Sequence, residues 1–100
     1  MIVTLTANPS LDRSVTLGSA LVPGGVHRIT SDTTDPGGKG INVALGVARA
    51  GLPVTAVFPA DEDDPLSELI KTRGLSNVYT PGGPVRTNLT VLADGVTTKI

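Results

Sequence analysis

Pro36-Gly37-Gly38-Lys39-Gly40-Ile41-Asn42-Val43-Ala44 is the stretch on which the reading of the whole chain turns. Glycine has no Cβ, so its backbone reaches positive φ and its N–H groups approach other atoms closely. Behind the glycines, Ile41, Ala44, Leu45 and Ala48 follow the i, i+3, i+4, i+7 spacing of one helical face, which predicts a helix over Ile41 to Ala50. Gly51 suits the C′ position and Pro53 prevents the helix from resuming. Ile2 to Ala7 before the turn and Val54 to Phe58 after the helix read as buried strands. Strand, glycine turn, helix and strand predict a βαβ crossover with parallel pairing, hence an α/β fold.

Working outward, Asn8-Pro9-Ser10 ends the first strand, and Asp12 to Leu17 alternates, with Asp12, Ser14 and Thr16 on one side. Pro23-Gly24-Gly25 turns the chain into a second polar extended stretch, Val26 to Thr33. These two stretches predict a small sheet standing off the body. Pro65 to Arg73 reads as a short amphipathic helix, with Asp61, Glu62, Asp63 and Asp64 crowding its start, where the helix dipole favours negative charge. A short strand is expected near Val78-Tyr79, and a long one over Val85 to Ala93. Asp94-Gly95 is a hairpin signal leading into Val96 to Ile100. The chain stops inside that last strand, so it is expected to be incomplete.

Composition narrows the function classes. The chain has 100 residues, a net charge of −1 and no basic run, which argues against nucleic acid as a partner. It has no cysteine, which removes disulfides, thiolate metal sites and cysteine nucleophiles. No apolar run approaches the roughly 20 residues that span a bilayer, and the N-terminus lacks the charged n-region of a signal peptide. No membrane partner and a cytoplasmic location are therefore expected. Phe58 and Tyr79 are the only aromatic residues, so the core must come from Val, Leu, Ile and Ala.

A glycine turn that feeds a helix N-terminus suits an anion, because the first N–H groups lack intrahelical acceptors and the dipole is positive there. Lys39 sits at that end, where a cation without a counter-charge costs about 0.3–1 kcal/mol. The stretch is not a Walker A loop, since Lys39 is followed by Gly40 rather than Ser or Thr. Nor is it a dinucleotide fingerprint, because Val43 stands where the third glycine belongs. Asn42 adds an amide in the first turn that both donates and accepts hydrogen bonds. Asp61 to Asp64 lack the order of a calcium loop and read as helix-start charge.

Gly37-Gly38-Lys39-Gly40-Ile41-Asn42-Val43-Ala44, followed by Gly51, resembles the first signature of the PfkB (ribokinase-like) sugar kinases. Thr6-Ala7-Asn8-Pro9-Ser10-Leu11-Asp12 resembles the opening of that family's phosphosugar branch, and Arg86-Thr87-Asn88 its third substrate-binding segment. The resemblance implies the N-terminal portion of a three-layer α/β fold with a parallel central sheet. A small β-sheet lid would occupy roughly residues 12–34, and the βαβ core residues 1–8 and 40–80. It implies Asp12, Gly38 and Asn42 as contacts for sugar hydroxyls, with Gly37 as a further substrate-binding residue. Lys39 and Arg86 would meet the substrate's phosphate, and Asn88 shares the strand face of Arg86. The activity implied is transfer of the γ-phosphoryl of ATP to a phosphosugar, with fructose 1-phosphate favoured over tagatose 6-phosphate and fructose 6-phosphate.

ATP and Mg²⁺ would be bound mainly outside this chain, since the family's Gly-x-Gly-Asp segment, which carries the catalytic base, would lie beyond residue 100. The isolated chain is accordingly expected to be inactive, with no catalytic or metal-ligating residue of its own. The partner implied is the phosphosugar, with a homodimer through the lid as a further arrangement in which Arg28 would reach a phosphate. His27, also on the lid, reads as a solvated side chain. A non-catalytic sugar-phosphate binding or dimerisation module is the alternative from another class. Pro59-Ala60-Asp61 departs from the family, many of whose members carry a glycine after the aromatic strand.

Overall fold

The computed structural model describes the backbone of residues 1–100 and the side chains of all but residues 76–79. Two compact units divide the chain: residues 1–11 with 36–86, and residues 12–35 with 87–100.

The first unit is built on three parallel strands in the order β1 (Ile2–Leu5), β4 (Val54–Pro59), β5 (Ser76–Thr80). Ile2 lies opposite Val54 and Leu5 opposite Val57, while Thr55 to Pro59 run alongside Ser76 to Thr80. Parallel neighbours need crossovers, and α1 (Lys39–Arg49) and α2 (Pro65–Thr72) supply them. Alternation along β4 sends Val54, Ala56 and Phe58 to one face, where they are buried with Ile41 and Ala44 of α1 and Leu66 and Ile70 of α2. Leu75 and Ala60 close this core, and partly buried Leu11, Leu45 and Val85 pack on it.

Both helices end as glycine predicts. The Leu52 N–H donates to Val47 O at 3.3 Å and the Gly51 N–H to Ala48 O at 3.0 Å. The same pair of bonds recurs from Leu75 to Ile70 and from Gly74 to Lys71. This pair of hydrogen bonds satisfies two of the orphan carbonyls at the end of each helix. At the start of α2, Asp64 accepts the Leu66 N–H at 2.9 Å, a side-chain cap worth about 0.5–2 kcal/mol. Lys71 pairs with Glu68 at 3.7 Å and Glu62 at 3.9 Å, and of the acidic cluster Asp64 is the residue that caps α2.

The opening strand is shorter and less enclosed than its sequence predicts. It ends at Leu5 rather than Ala7, and only one face is covered: Val3 is 62% and Leu5 72% exposed. Their register opposite Thr55 and Val57 puts them on the face away from α1 and α2. Apolar residues on consecutive positions signal a two-sided burial that these two helices do not provide.

The second unit is centred on a four-stranded sheet, β3-β2-β6-β7, whose strands are β2 (Ser10–Leu17), β3 (Ile29–Gly37), β6 (Arg86–Ala93) and β7 (Val96–Lys99). Asp94 and Gly95 take φ of 50° and 73° in the turn between antiparallel β6 and β7, as a tight primed hairpin requires. Its core is small: Val15, Val91 and Ala93, with Leu17 and Leu89 at the margin. The β3 strand begins three residues later than expected and runs on to Gly37. The His27 Nε2 accepts the Val22 N–H at 3.0 Å and closes the preceding loop, and pairing starts where the Gly18 N–H donates to Arg28 O. His27 is thus a half-buried loop clamp rather than a solvated side chain. Across β2 and β3, Arg13 forks onto Asp32 with bonds of 3.0 and 2.7 Å. The hydrogen bonds, helped by the charge of Arg13, hold the Asp32 carboxyl below its ordinary value against the opposing effect of desolvation.

Candidate functional site

The residues singled out in the sequence fall into two groups, one in each unit. In the first, Gly37 ends β3 rather than lying in the turn, and Gly38 is the residue before α1. Gly38 takes φ 119°, a conformation L side chains rarely adopt, and a Cβ there would lie 2.5 Å from Thr6 Cγ2. Gly40 permits an equally close approach, and to backbone as well: a Cβ would stand 2.5 Å from Thr6 Oγ1 and 2.6 Å from Leu5 O. The glycines therefore seat the first turn of α1 directly on the end of β1. This is why α1 starts two residues earlier than its apolar spacing indicates.

That helix start has an electrostatic character of its own. The first intrahelical bond runs from the Asn42 N–H to Gly38 O at 2.9 Å, so the N–H groups of residues 39–41 have no intrahelical acceptor. No side chain caps the helix and no acidic residue occupies its first turn. Lys39 is exposed, and among the described residues no ion pair involves it. Exposed Asn42 completes the turn. Dipole and ammonium add rather than cancel, and both favour an anion.

Arg86, exposed at the start of β6, borders a cavity of about 180 Å³ with Ala7, Asn8, Pro9, Pro59 and the loop residues 83–85. Ala7, Asn8 and Pro9 follow the C-terminal end of β1 and Pro59 ends β4, and the outer side of such ends is where open parallel sheets hold ligands. Beneath the turn, Thr6 is 6% exposed, and its hydroxyl has no hydrogen-bond partner among the described residues.

In the second unit, Asp12 and Asn88 come together: the Asn88 Nδ2 donates to Asp12 Oδ1 at 3.1 Å across β2 and β6. Residues two apart on a strand share a face, and Ser14 and Thr90 duly line the same cavity of about 390 Å³, with Lys99 on β7. The period-two pattern signalled Ser14. Lys99 carried no signal, because only strand pairing brings residue 99 beside residue 12. Among the described residues, no three His, Cys, Asp or Glu side chains gather into a cation site.

The first unit thus combines parallel α/β layers with an uncapped, cationic helix start, and the second carries a polar sheet with a paired Asp and Asn. The chain belongs to the pfkB family of carbohydrate kinases, whose profile it matches over residues 3–99. It is 39% identical over 90 residues to the 1-phosphofructokinase of Xanthomonas campestris pv. campestris, a match that covers 87% of this chain and 28% of that protein. Over 59 residues it is 49% identical to the ATP-dependent 6-phosphofructokinase isozyme 2 of Escherichia coli, covering 59% and 19%. The solved Escherichia coli phosphofructokinase-2 in complex with fructose-6-phosphate superposes with a TM-score of 0.82 at 32% identity, over 99% of this chain and 34% of that one. The chain thus spans about a third or less of the relatives that it matches.

Proposed function

We propose that the protein is a phosphosugar kinase that moves the γ-phosphoryl of ATP to fructose 1-phosphate, giving fructose 1,6-bisphosphate. The observation that carries the sugar-phosphate reading is the start of α1, where Lys39 adds to an uncapped helix dipole with no acidic residue to offset it. In this reading, Lys39 and Arg86 hold the substrate's phosphate. Gly38 and Asn42 meet its hydroxyls at the helix start, with Gly37 before them at the end of β3. Asp12, oriented by Asn88, accepts hydrogen bonds from further hydroxyls. Phosphoryl transfer depends on placing the nucleophile in line and on balancing charge, and this chain serves the placement. ATP and Mg²⁺ belong mainly to residues outside it, so no step on this chain passes through the metal.

Fructose 6-phosphate is the second reading, favoured by the 49% identity to a 6-phosphofructokinase. Assaying the full-length protein against fructose 1-phosphate, fructose 6-phosphate and tagatose 6-phosphate distinguishes them by kcat/KM. Lys39→Ala and Arg86→Ala are expected to raise the phosphosugar KM at least tenfold, about 1.4 kcal/mol each, with the ATP KM nearly unchanged. An equal rise for both ligands would refute these roles. The isolated 100-residue chain is expected to lack kinase activity, and turnover above background in a pure preparation would overturn that.

A further inference from the structure

Asp64 does two things with its two carboxylate oxygens. Oδ1 accepts the Leu66 N–H at 2.9 Å and caps α2. Oδ2 accepts the Val85 N–H at 3.2 Å, 21 residues away in sequence. A helix cap needs only the first of these bonds. The second ties a helix start to the last residue before β6, whose first residue is Arg86.

The segment so tied is held by packing rather than by helix or strand. Residues 81–85 lie in no helix or strand, and Pro81, Gly83 and Pro84 are exposed. Gly82 packs on Pro59, where a Cβ would stand 3.0 Å from Pro59 Cβ and 3.1 Å from its carbonyl carbon. The Val85 side chain lies against the core. Asp64 adds a side-chain hydrogen bond to this segment's backbone. Residues 83–86 wall the small cavity beside Asn8 and Pro59. The direction in which Arg86 leaves the backbone is therefore set one peptide away from the Asp64 carboxylate.

We infer that Asp64 is a positioning residue for the sugar phosphate: through the Val85 N–H it holds the loop that aims Arg86. The inference rests on the reading of Arg86 as a phosphate ligand. It is not a consequence of capping, because Asn caps a helix as well as Asp. Asn, however, has one acceptor oxygen where Asp has two, and it turns an NH₂ group towards the other partner. Asp64→Asn therefore keeps one of the two bonds and loses the other, and Asp64→Ser keeps the cap with a side chain too short to reach Val85.

The test uses the full-length protein with fructose 1-phosphate and fructose 6-phosphate as probes, measuring KM for sugar phosphate and for ATP, kcat, and the thermal midpoint. Asp64→Asn and Asp64→Ser are expected to raise the sugar-phosphate KM roughly five- to tenfold, since small misplacements of binding groups carry large penalties. The ATP KM should stay within about twofold, and the Asp64→Ser midpoint should fall by no more than the loss of the single Val85 bond, because Ser is also a good cap. In an Arg86→Ala background, neither substitution should raise the sugar-phosphate KM further. If the Asp64 variants leave that KM unchanged while Arg86→Ala raises it, the inference is wrong and the phosphate role of Arg86 stands. If both KM values rise together with a fall in midpoint, Asp64 is only a cap and the inference is again overturned. If Arg86→Ala itself has no effect, the inference falls together with the reading beneath it.

Discussion

Gly40 and Gly46 occupy the same helix, yet the same substitution should move stability in opposite directions. Gly46 is exposed and nothing lies within 4 Å of a Cβ built on it. Alanine there gains helix propensity and restricts the unfolded chain, so Gly46→Ala should stabilise by about 0.5–1 kcal/mol. At Gly40 the new Cβ meets Thr6 Oγ1 at 2.5 Å, Leu5 O at 2.6 Å and Leu5 C at 2.9 Å. Two of those three atoms are backbone and cannot rotate away. Overpacking of this kind costs about 1–3 kcal/mol, and with backbone as the obstacle the upper end applies. Subtracting at most about 1 kcal/mol of propensity gain leaves Gly40→Ala destabilised by about 2 kcal/mol. The two variants should thus differ by about 3 kcal/mol in urea unfolding of the full-length protein. Because both replace a glycine in one helix by alanine, effects on the denatured chain largely cancel. If Gly40→Ala proved as stable as Gly46→Ala, the close seating of α1 on β1 would be refuted.

Two further outcomes test other parts of the fold. Thr4 is 8% exposed and its hydroxyl has no partner among the described residues, so near-isosteric Thr4→Val should stabilise by about 1 kcal/mol in the same unfolding assay; a loss of that size would mean that the hydroxyl is satisfied. Arg13 holds the Asp32 carboxyl low, chiefly by hydrogen bonding, so its stabilising effect is present above the ordinary carboxylate range and is lost as pH falls through the depressed folded value. A carboxyl-carbon NMR titration should place the Asp32 midpoint below that of an ordinary aspartate, and Arg13→Ala should return it. With both side chains over two-fifths exposed, high salt should weaken the shift.

Local chemistry made most of the elements legible. The 3.6-residue spacing of Ile41, Ala44 and Ala48 announced α1, Asp94-Gly95 its hairpin, and Gly51 and Gly74 the helix ends. Each depends on a few neighbouring residues, so a linear reading captures it. The boundaries of β3 were less accessible, since they depend on the His27 clamp and on pairing with β2. The exposure of Val3 and Leu5 depends on what covers a sheet face, which no strand's own sequence states.

The candidate site divides in the same way. The glycine turn, the lysine at the helix start, and the alternation that aligns Asp12 with Ser14 were all readable from the linear chain. Their spacing is short, and backbone geometry converts it directly into a shared face or a helix end. Only tertiary structure decided that Asn88 orients Asp12 across 76 residues, that Gly40 touches Leu5, and that Asp64 grips the backbone before Arg86. Those contacts join residues brought together by strand pairing and by the crossover helices. A hydrogen bond of about 3 Å depends on where the chain returns, and that position is set by the packing of the whole unit.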